Sequence, residues 1–238
     1  MDRTLVLIVF AFAFLNLAEA SATTSPSPTQ SEIRTAVINR FQAEREFKAV
    51  EVYQHPTQRD IFAVLWDDGF WFKSLRVLKF KDGAIEWASE IDPKSNWGDH
   101  AILTVKWSTL PKIGITALEI YTSTHKGNGA YMVFQLDGQK LQELLNVRAI
   151  GRYDYGQRVP RLPGVDSVEA NRVGRITNAK DDPFEEIEVS GMVQFFDESG
   201  KNVVKTGPLK QVFKWNPAKK VFEEDIAKRK GDVEFLSI

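Results

Sequence analysis

From residue 48 onward the chain consists of short runs rich in Val, Ile, Phe, Tyr and Trp, separated by turn-forming dipeptides. Such runs predict antiparallel β-strands, because alternate side chains of a strand face one core. Asp82-Gly83 and Asp137-Gly138 lie between two runs each and favour two-residue hairpin turns, which need positive φ. The pattern predicts an all-β, mostly antiparallel domain over residues 48–238. The expected strands are 49–54, 61–66, 70–81, 84–90, 101–108, 115–123, 130–136, 140–148, 167–177, 186–196, 209–215 and 220–224.

One amphipathic helix is predicted ahead of the strands, over residues 31–46. Thr29 and Glu32 have the three-residue spacing of a capping box, in which each satisfies a backbone N–H at the helix start. Ile33, Val37 and Phe41 recur every four residues and would form one apolar face. A lone helix of this length is marginal in water, so we expect this face to pack on the sheet that follows.

Residues 1–22 have the three parts of a secretory signal peptide: Arg3, an apolar run, and small residues at a cut site. Cleavage is expected after Ala20 or Ala22. The apolar run is shorter than the ~20 residues that a spanning helix needs, so no membrane span is expected after cleavage, and a retained anchor is the alternative. Residues 23–30 predict a flexible tether, because they are polar and proline-containing. The chain is therefore expected to be exported, to the periplasm or the cell exterior.

The composition excludes several classes of function. Lys and Arg total 31 and Asp and Glu total 32, so the basic excess that binding to nucleic acid requires is absent. The chain contains no cysteine, which excludes disulfides, cysteine-ligated zinc, iron–sulfur clusters and thiol catalysis. It also lacks a Gly-x-Ser-x-Gly elbow, a phosphate-binding Gly-rich loop and a dinucleotide fingerprint. No cofactor is expected.

A recurring pattern divides the predicted strands into modules. A strand with an acidic residue followed by Ile recurs three times, at Asp60, Glu119 and Glu186, and each time a connection and an apolar strand ending at a turn follow it. The pattern predicts three four-stranded modules, roughly over residues 48–91, 99–148 and 165–225. Their spacing is unequal, so the pattern fits both a true repeat and an ordinary meander.

The third module carries a resemblance to a known group of proteins. Residues 184–189 read Phe-Glu-Glu-Ile-Glu-Val, and residues 212–217 and 221–222 follow as Val-Phe-Lys-Trp-Asn-Pro and Val-Phe. This segment, mainly residues 184–224, resembles the blades of secreted integrin-type and VCBS-type β-propeller proteins. Three blades fall short of the four or more that close a ring. The resemblance therefore implies an open propeller-like stack or a sandwich, and a single barrel-like sheet around a core is the alternative.

The same resemblance implies a place to look for calcium. Blades of this group often carry a loop of alternating carboxylates and glycine before the Glu-Ile strand, which coordinates a hard cation. Here the corresponding residues 178–185 lack the glycine and the spacing, and Lys180 adds a positive charge. No metal is therefore expected at this loop.

Aromatic residues beside carboxylates mark the only unusual local composition, in the run Leu-Trp-Asp-Asp-Gly-Phe-Trp-Phe over residues 65–72. Such a group could bind a sugar or a peptide, since aromatic faces bind apolar sugar faces and acids bind hydroxyls. The alternative is a cross-strand aromatic pair in the core. A second candidate is His100, because Trp97 and Asp99 come just before it. The candidate ligand-binding residues are Trp66, Asp67, Asp68, Trp71, Trp97 and His100.

The three histidines show no metal-ligand spacing. His55 precedes Pro56 and is expected in a solvated loop, and His125 in a polar hairpin turn could act as a base to a serine. With no catalytic spacing and an export signal, the sequence predicts a non-enzymatic binding or structural module for a carbohydrate or protein. The alternative is a secreted hydrolase assembled from acids and His100 or His125. A third possibility is a partner chain that covers open sheet edges.

Overall fold

The computed structural model describes residues 27–41, 49–67, 73–91, 100–124, 128–154, 164–177 and 182–231. These described residues form one α-helix, twelve antiparallel strands and one 3-10 helix, Ile226–Lys228. The prediction of a mostly antiparallel β fold with one N-terminal helix is confirmed. The elements are α1 (Gln30–Phe41), β1 (Ala49–Gln54), β2 (Ile61–Asp67), β3 (Lys73–Lys81), β4 (Ala84–Ile91), β5 (His100–Leu110), β6 (Ile115–Thr124), β7 (Gly129–Asp137), β8 (Lys140–Asp154), β9 (Ser167–Thr177), β10 (Glu186–Phe196), β11 (Val203–Asn216) and β12 (Val221–Glu224).

The strands form two sheets, and in each of them neighbours in sequence are neighbours in space. Strands β1–β4 make a four-stranded sheet that coincides with the first predicted module, and β5–β12 make one eight-stranded sheet. The second and third predicted modules are thus not separate sheets. They join because β8 continues past its predicted end at Arg148, and its residues Ile150–Asp154 pair with Ser167–Asn171 of β9.

The four-stranded sheet lies between α1 and the eight-stranded sheet. Residues Ile61–Trp66 of β2 are all buried, because alternate side chains pack into different cores on the two faces of the sheet. Phe62, Val64 and Trp66 pack with the apolar face of α1. Ile61, Ala63 and Leu65 pack against β5–β7 of the larger sheet. The four-stranded sheet is therefore the middle one of three layers, and β2 contacts the layers on both sides of it.

The eight-stranded sheet curls, so that its last strands pack against its own middle. Tyr131 and Val133 of β7 share a core cluster with Ile187 and Val189 of β10 and Phe213 of β11. The opposite face of β7 belongs to the core beneath the four-stranded sheet. β5 and β12 are the two ends of the strand order, so the curled sheet is not closed into a barrel.

Local signals set the helix start. The N–H of Thr29 donates to Glu32 Oε2 at 2.7 Å and the N–H of Glu32 donates to Thr29 Oγ1 at 3.2 Å, which confirms the capping box. The predicted face of Ile33, Val37 and Phe41 is buried. The helix begins at Gln30 and ends at Phe41, and residues 42–46 of its predicted extent lie outside the described residues.

Both predicted hairpins form. Asp82 and Gly83 have φ values of 50° and 79° and connect β3 to β4, as predicted. In the second hairpin Asp137 pairs with Lys140, so the two-residue loop consists of positions 138 and 139, one residue later than predicted. Gly138 supplies the positive φ there, at 61°.

Candidate functional site

Trp66, the candidate ligand-binding residue whose side chain the structure describes, is buried. Its exposed fraction is 3%, and its ring stacks on Phe41 of α1 with centroids 5.7 Å apart and planes at 14°. The Arg76 guanidinium lies 5.1 Å from the centroid of the Trp66 ring. Trp66 therefore packs between helix and sheet. Three of the other candidates, Asp68, Trp71 and Trp97, lie outside the described residues. For the remaining two, Asp67 and His100, the structure describes the backbone but not the side chain.

His55 is buried, with an exposed fraction of 4%, so the expectation of a solvated loop residue is wrong. Its Nδ1 accepts hydrogen bonds from the backbone N–H groups of Gln58 at 3.0 Å and Thr57 at 3.3 Å. The edge of the ring meets Trp107, with centroids 4.7 Å apart. Burial lowers the pKa of His55, and the charge of Asp60 opposes this effect. The neutral imidazole thus closes the turn between β1 and β2, and sequence alone could not show its burial.

Replacing His55 by Asn should reduce the pH dependence of stability. Because the folded-state pKa of His55 is lowered, the unfolded chain binds a proton first as the pH falls below about 6.5, and the folded state loses stability. Asn can accept the same turn hydrogen bonds through Oδ1 but does not titrate. Urea unfolding at pH 7.5 and pH 5 should show that the wild type loses more stability between the two pH values than the variant does. Equal losses in both proteins would contradict this role.

A buried carboxylate joins the first strands of the large sheet. Glu119 of β6 has an exposed fraction of 6%. Its Oε2 accepts the hydroxyl of Tyr131 at 2.6 Å, and its Oε1 accepts the hydroxyl of Ser108 and lies 3.5 Å from Lys106 Nζ. Both carboxylate oxygens thus have donors, which is the arrangement expected of a stabilised buried acid.

The tyrosines beside this carboxylate connect it to β9. Tyr121 donates its hydroxyl to the carbonyl oxygen of Gly174 at 2.8 Å, and its ring lies against Tyr131 with centroids 4.8 Å apart. Burial raises the pKa of both tyrosines, that of Tyr121 to about 12. Both hydroxyls therefore remain hydrogen-bond donors at neutral pH, and the cluster holds β6 and β7 against the curled half of the sheet.

A second polar cluster lies around Lys214 of β11. Its Nζ lies 3.2 Å from Asp225, 3.3 Å from Asp182 and 3.5 Å from Glu186. Hydrogen bonds to Asp225 and Asp182 raise the pKa of Lys214. Asp182 belongs to the segment in which a calcium loop was considered, and residues 178–181 of that segment lie outside the described residues. In the described part of that segment, the Lys214 ammonium forms an ion pair with the Asp182 carboxylate.

Among the described residues, Arg172 of β9 is the largest fully buried side chain, with an exposed fraction of 1%. Its guanidinium donates to the side-chain oxygen of Gln211 and to the backbone carbonyl of Arg148. Burial lowers the pKa of Arg172 to about 10. It occupies the same face of the strand as the buried Val168 and Ala170, so strand alternation was the one sequence signal of its burial.

The outer face of β9–β11 presents an exposed apolar row. Val173 is 60% exposed and Met192 48%, and Pro208 is exposed as well. Met192 lies directly opposite Pro208 in the register. Val173 pairs with Ser190, two residues from Met192, so Val173 and Met192 are diagonal neighbours on the same face. We name Val173, Met192 and Pro208 the apolar row.

Sequence reasoning missed the apolar row, although one signal was present. Val173 is out of phase with the buried positions Val168, Ala170 and Arg172, so an alternating strand must turn Val173 to the other face. An ion pair between Glu188 and Lys210 lies on that face beside the row. Large exposed apolar patches on soluble proteins mark interaction surfaces, which makes this face a candidate for one.

Among the described residues, most of the β11 edge next to the row has no pairing strand. β10 pairs with β11 along its whole length, whereas β12 pairs only with residues 213–216. Lys210 forms a single further bridge with Lys230. Within the described residues nothing else pairs with Val203–Leu209 on that side. We name Val203–Leu209 the free edge.

Pro208 explains both the free edge and a difference from prediction. Gly207-Pro208 reads as a strand breaker, so β11 was expected to begin at Leu209. The strand begins instead at Val203. The N–H of Lys210 points away from β10 and toward Lys230. Pro208 is two residues before Lys210 in the strand, so its nitrogen faces the same side. Proline is tolerated there because its missing N–H faces the edge and not the ladder with β10.

The sequence matches no protein-family model and no curated protein. Among the described residues no helix is long and apolar enough to cross a membrane. In the same part of the chain no group of three or more His, Asp or Glu side chains is placed to hold a metal ion.

Proposed function

We propose that the protein is an exported, non-enzymatic binding module, and that the apolar row on β9–β11 is the surface that binds its partner. The partner is a protein that offers an apolar surface of its own. The observation that carries the proposal is the exposure of Val173 and Met192 as neighbours on one sheet face.

The composition of the face favours a protein over other ligands. Apolar side chains gain most from contact with another apolar surface that excludes water. The Glu188–Lys210 pair beside the row is a neutral polar rim, which suits the border of a protein interface. Trp66 is buried and so offers no exposed ring for a sugar. The balanced charge of the chain gives no advantage to nucleic acid.

The remaining features of the proposal stay predictions from the sequence. The signal peptide over residues 1–22 supports export. The resemblance of residues 184–224 to propeller blades supports a role in binding, and it covers β10–β12, two strands of which contribute to the apolar row.

Site-specific photocrosslinking in the cells that produce the protein tests the proposal. A benzophenone amino acid at Met192 should give one adduct of defined mass, and the substitution Val173→Asp should abolish it. The matched control places the same amino acid at Ala218, an exposed residue of the β11–β12 turn, and should give none.

The same mass spectra report the N-terminus, which should be Ser21 or Thr23. No adduct at position 192, or equal adducts at both positions, would reject the binding surface. An uncleaved N-terminus would reject the cleaved signal peptide and favour the retained anchor.

A further inference from the structure

We propose that Met192 is a redox-sensitive modification site, and that its oxidation to methionine sulfoxide by a peroxide weakens binding at the apolar row. This regulation rests on the binding function proposed above. Two observations carry it: Met192 lies in the middle of the apolar row, and Met132 is buried in the core.

The chain offers an oxidant few sulfur atoms. It has three methionines and no cysteine, and Met1 belongs to the predicted signal peptide. Met132 of β7 has an exposed fraction of 2% and packs in the core beneath the four-stranded sheet. Met192 of β10 has an exposed fraction of 48%. A dissolved peroxide therefore reaches Met192, whereas the folded structure keeps it from the sulfur atom of Met132.

Met192 holds the central position of the apolar row. β10 lies between β9 and β11, and Met192 is directly opposite both Pro208 of β11 and Asn171 of β9. Val173 is its diagonal neighbour on β9. A chemical change at Met192 therefore occurs where a bound partner excludes water most completely, and not at the rim of the contact.

The reaction needs only the thioether and the peroxide. A lone pair of the Met192 sulfur attacks one oxygen of hydrogen peroxide, an S–O bond forms and the O–O bond breaks. The hydrogen on the attacked oxygen passes to the departing hydroxide, which leaves as water. Sulfur loses two electrons and the peroxide gains them. A dithiol reductant reverses the change and yields the thioether, water and a disulfide.

The added oxygen opposes burial against an apolar surface. A methionine thioether is apolar and adapts its shape to an irregular apolar surface. The sulfoxide is polar, and burying its oxygen costs free energy unless a hydrogen-bond donor faces it. A partner that offers an apolar surface supplies no such donor. Oxidation of Met192 therefore lowers the affinity of the apolar row for this partner.

Mass spectrometry tests the selectivity of oxidation. The purified full chain is treated with hydrogen peroxide and then digested. The peptide that contains Met192 should gain the mass of one oxygen atom at least about tenfold faster than the peptide that contains Met132. In urea the two rates should become similar, because unfolding exposes Met132. Equal rates in the folded protein would overturn the proposal.

Photocrosslinking in the producing cells tests the effect on binding. A benzophenone amino acid replaces Asn171, an exposed residue opposite Met192. Brief treatment with hydrogen peroxide before irradiation should lower the adduct yield at least about fivefold.

Two conservative variants are matched controls for this loss. In Met192→Leu, which cannot form a sulfoxide, the yield after peroxide should equal that variant's own yield before it. In Met132→Leu, which keeps Met192, the yield should still fall. An adduct that peroxide leaves unchanged, or that falls equally in Met192→Leu, would overturn the regulation and leave the binding surface standing. No adduct in untreated cells of the chain that retains Met192 would reject both.

Discussion

Replacing Gly174 by Ala should lower the free energy of unfolding by about 3 kcal/mol, because the new methyl group has no space. A Cβ at this position would overlap the ring of Tyr131, at 2.6 Å from its Cζ atom. The ring cannot move aside easily, since Tyr131 is fully buried and its hydroxyl is bonded to Glu119. The added atom therefore strains the contact between β7 and β9, on which the curl of the large sheet depends. Denaturant unfolding measures the loss.

Two further variants separate this cause from a general effect of alanine. Gly207→Ala adds the same atom to another strand of the same sheet, where nothing lies within 4 Å, and should be neutral or slightly stabilising. Tyr131→Leu removes the ring and leaves Glu119 short of one donor, so it is destabilising by itself. When Tyr131→Leu is combined with Gly174→Ala, the double variant should lose clearly less stability than the sum of the losses in the two single variants. Strict additivity would show that the Tyr131 ring is not the obstacle.

Replacing Trp66 by Ala should lower the free energy of unfolding by about 3–5 kcal/mol, the range for truncating a buried large aromatic side chain. The indole fills the space between α1 and the four-stranded sheet, and its stacking with Phe41 at 5.7 Å fixes the last turn of the helix. The cavity would also loosen α1, so the backbone amides of the helix should exchange faster in the variant that has the lower free energy of unfolding.

A matched variant distinguishes a core residue from a ligand-binding one. Trp66→Phe keeps an aromatic ring against Phe41 and should lose only about 1–2 kcal/mol. A ligand-binding tryptophan on the surface would behave differently, because its truncation leaves stability almost unchanged. Unfolding energies of both variants within about 0.5 kcal/mol of the wild type would therefore contradict the packing of Trp66.

Strands with regular alternation were predictable almost residue by residue. β1, β9 and β10 have the predicted bounds, and the capping box at Thr29 was predicted from spacing alone. These features depend on short-range periodicity and turn chemistry, which neighbouring residues set. The exceptions are strands whose ends contain breakers. β8 continues through Gly151, and β11 begins ahead of Gly207 and Pro208, because pairing with a neighbouring strand outweighs weak local propensity there.

The candidate site was predictable to a smaller extent. The aromatic composition around Trp66 drew attention to a residue that the fold buries. The exposed Val173 and Met192 are ordinary apolar residues in strands, and a sequence without the register does not show which of them a neighbour covers. His55 is a similar case, because its burial under Trp107 joins positions 52 residues apart.

The sequence by itself determined the strands, the helix start, the hairpin turns and the absence of cysteine, because each follows from the identity of nearby residues. Only the tertiary structure decided that β8 pairs with β9 and joins eight strands into one sheet. It also decided that this sheet curls, so that Glu119, Arg172 and Tyr131 are buried while the apolar row is exposed. The physical reason is that burial depends on which distant strands meet, and contacts at long range carry no signature in local periodicity.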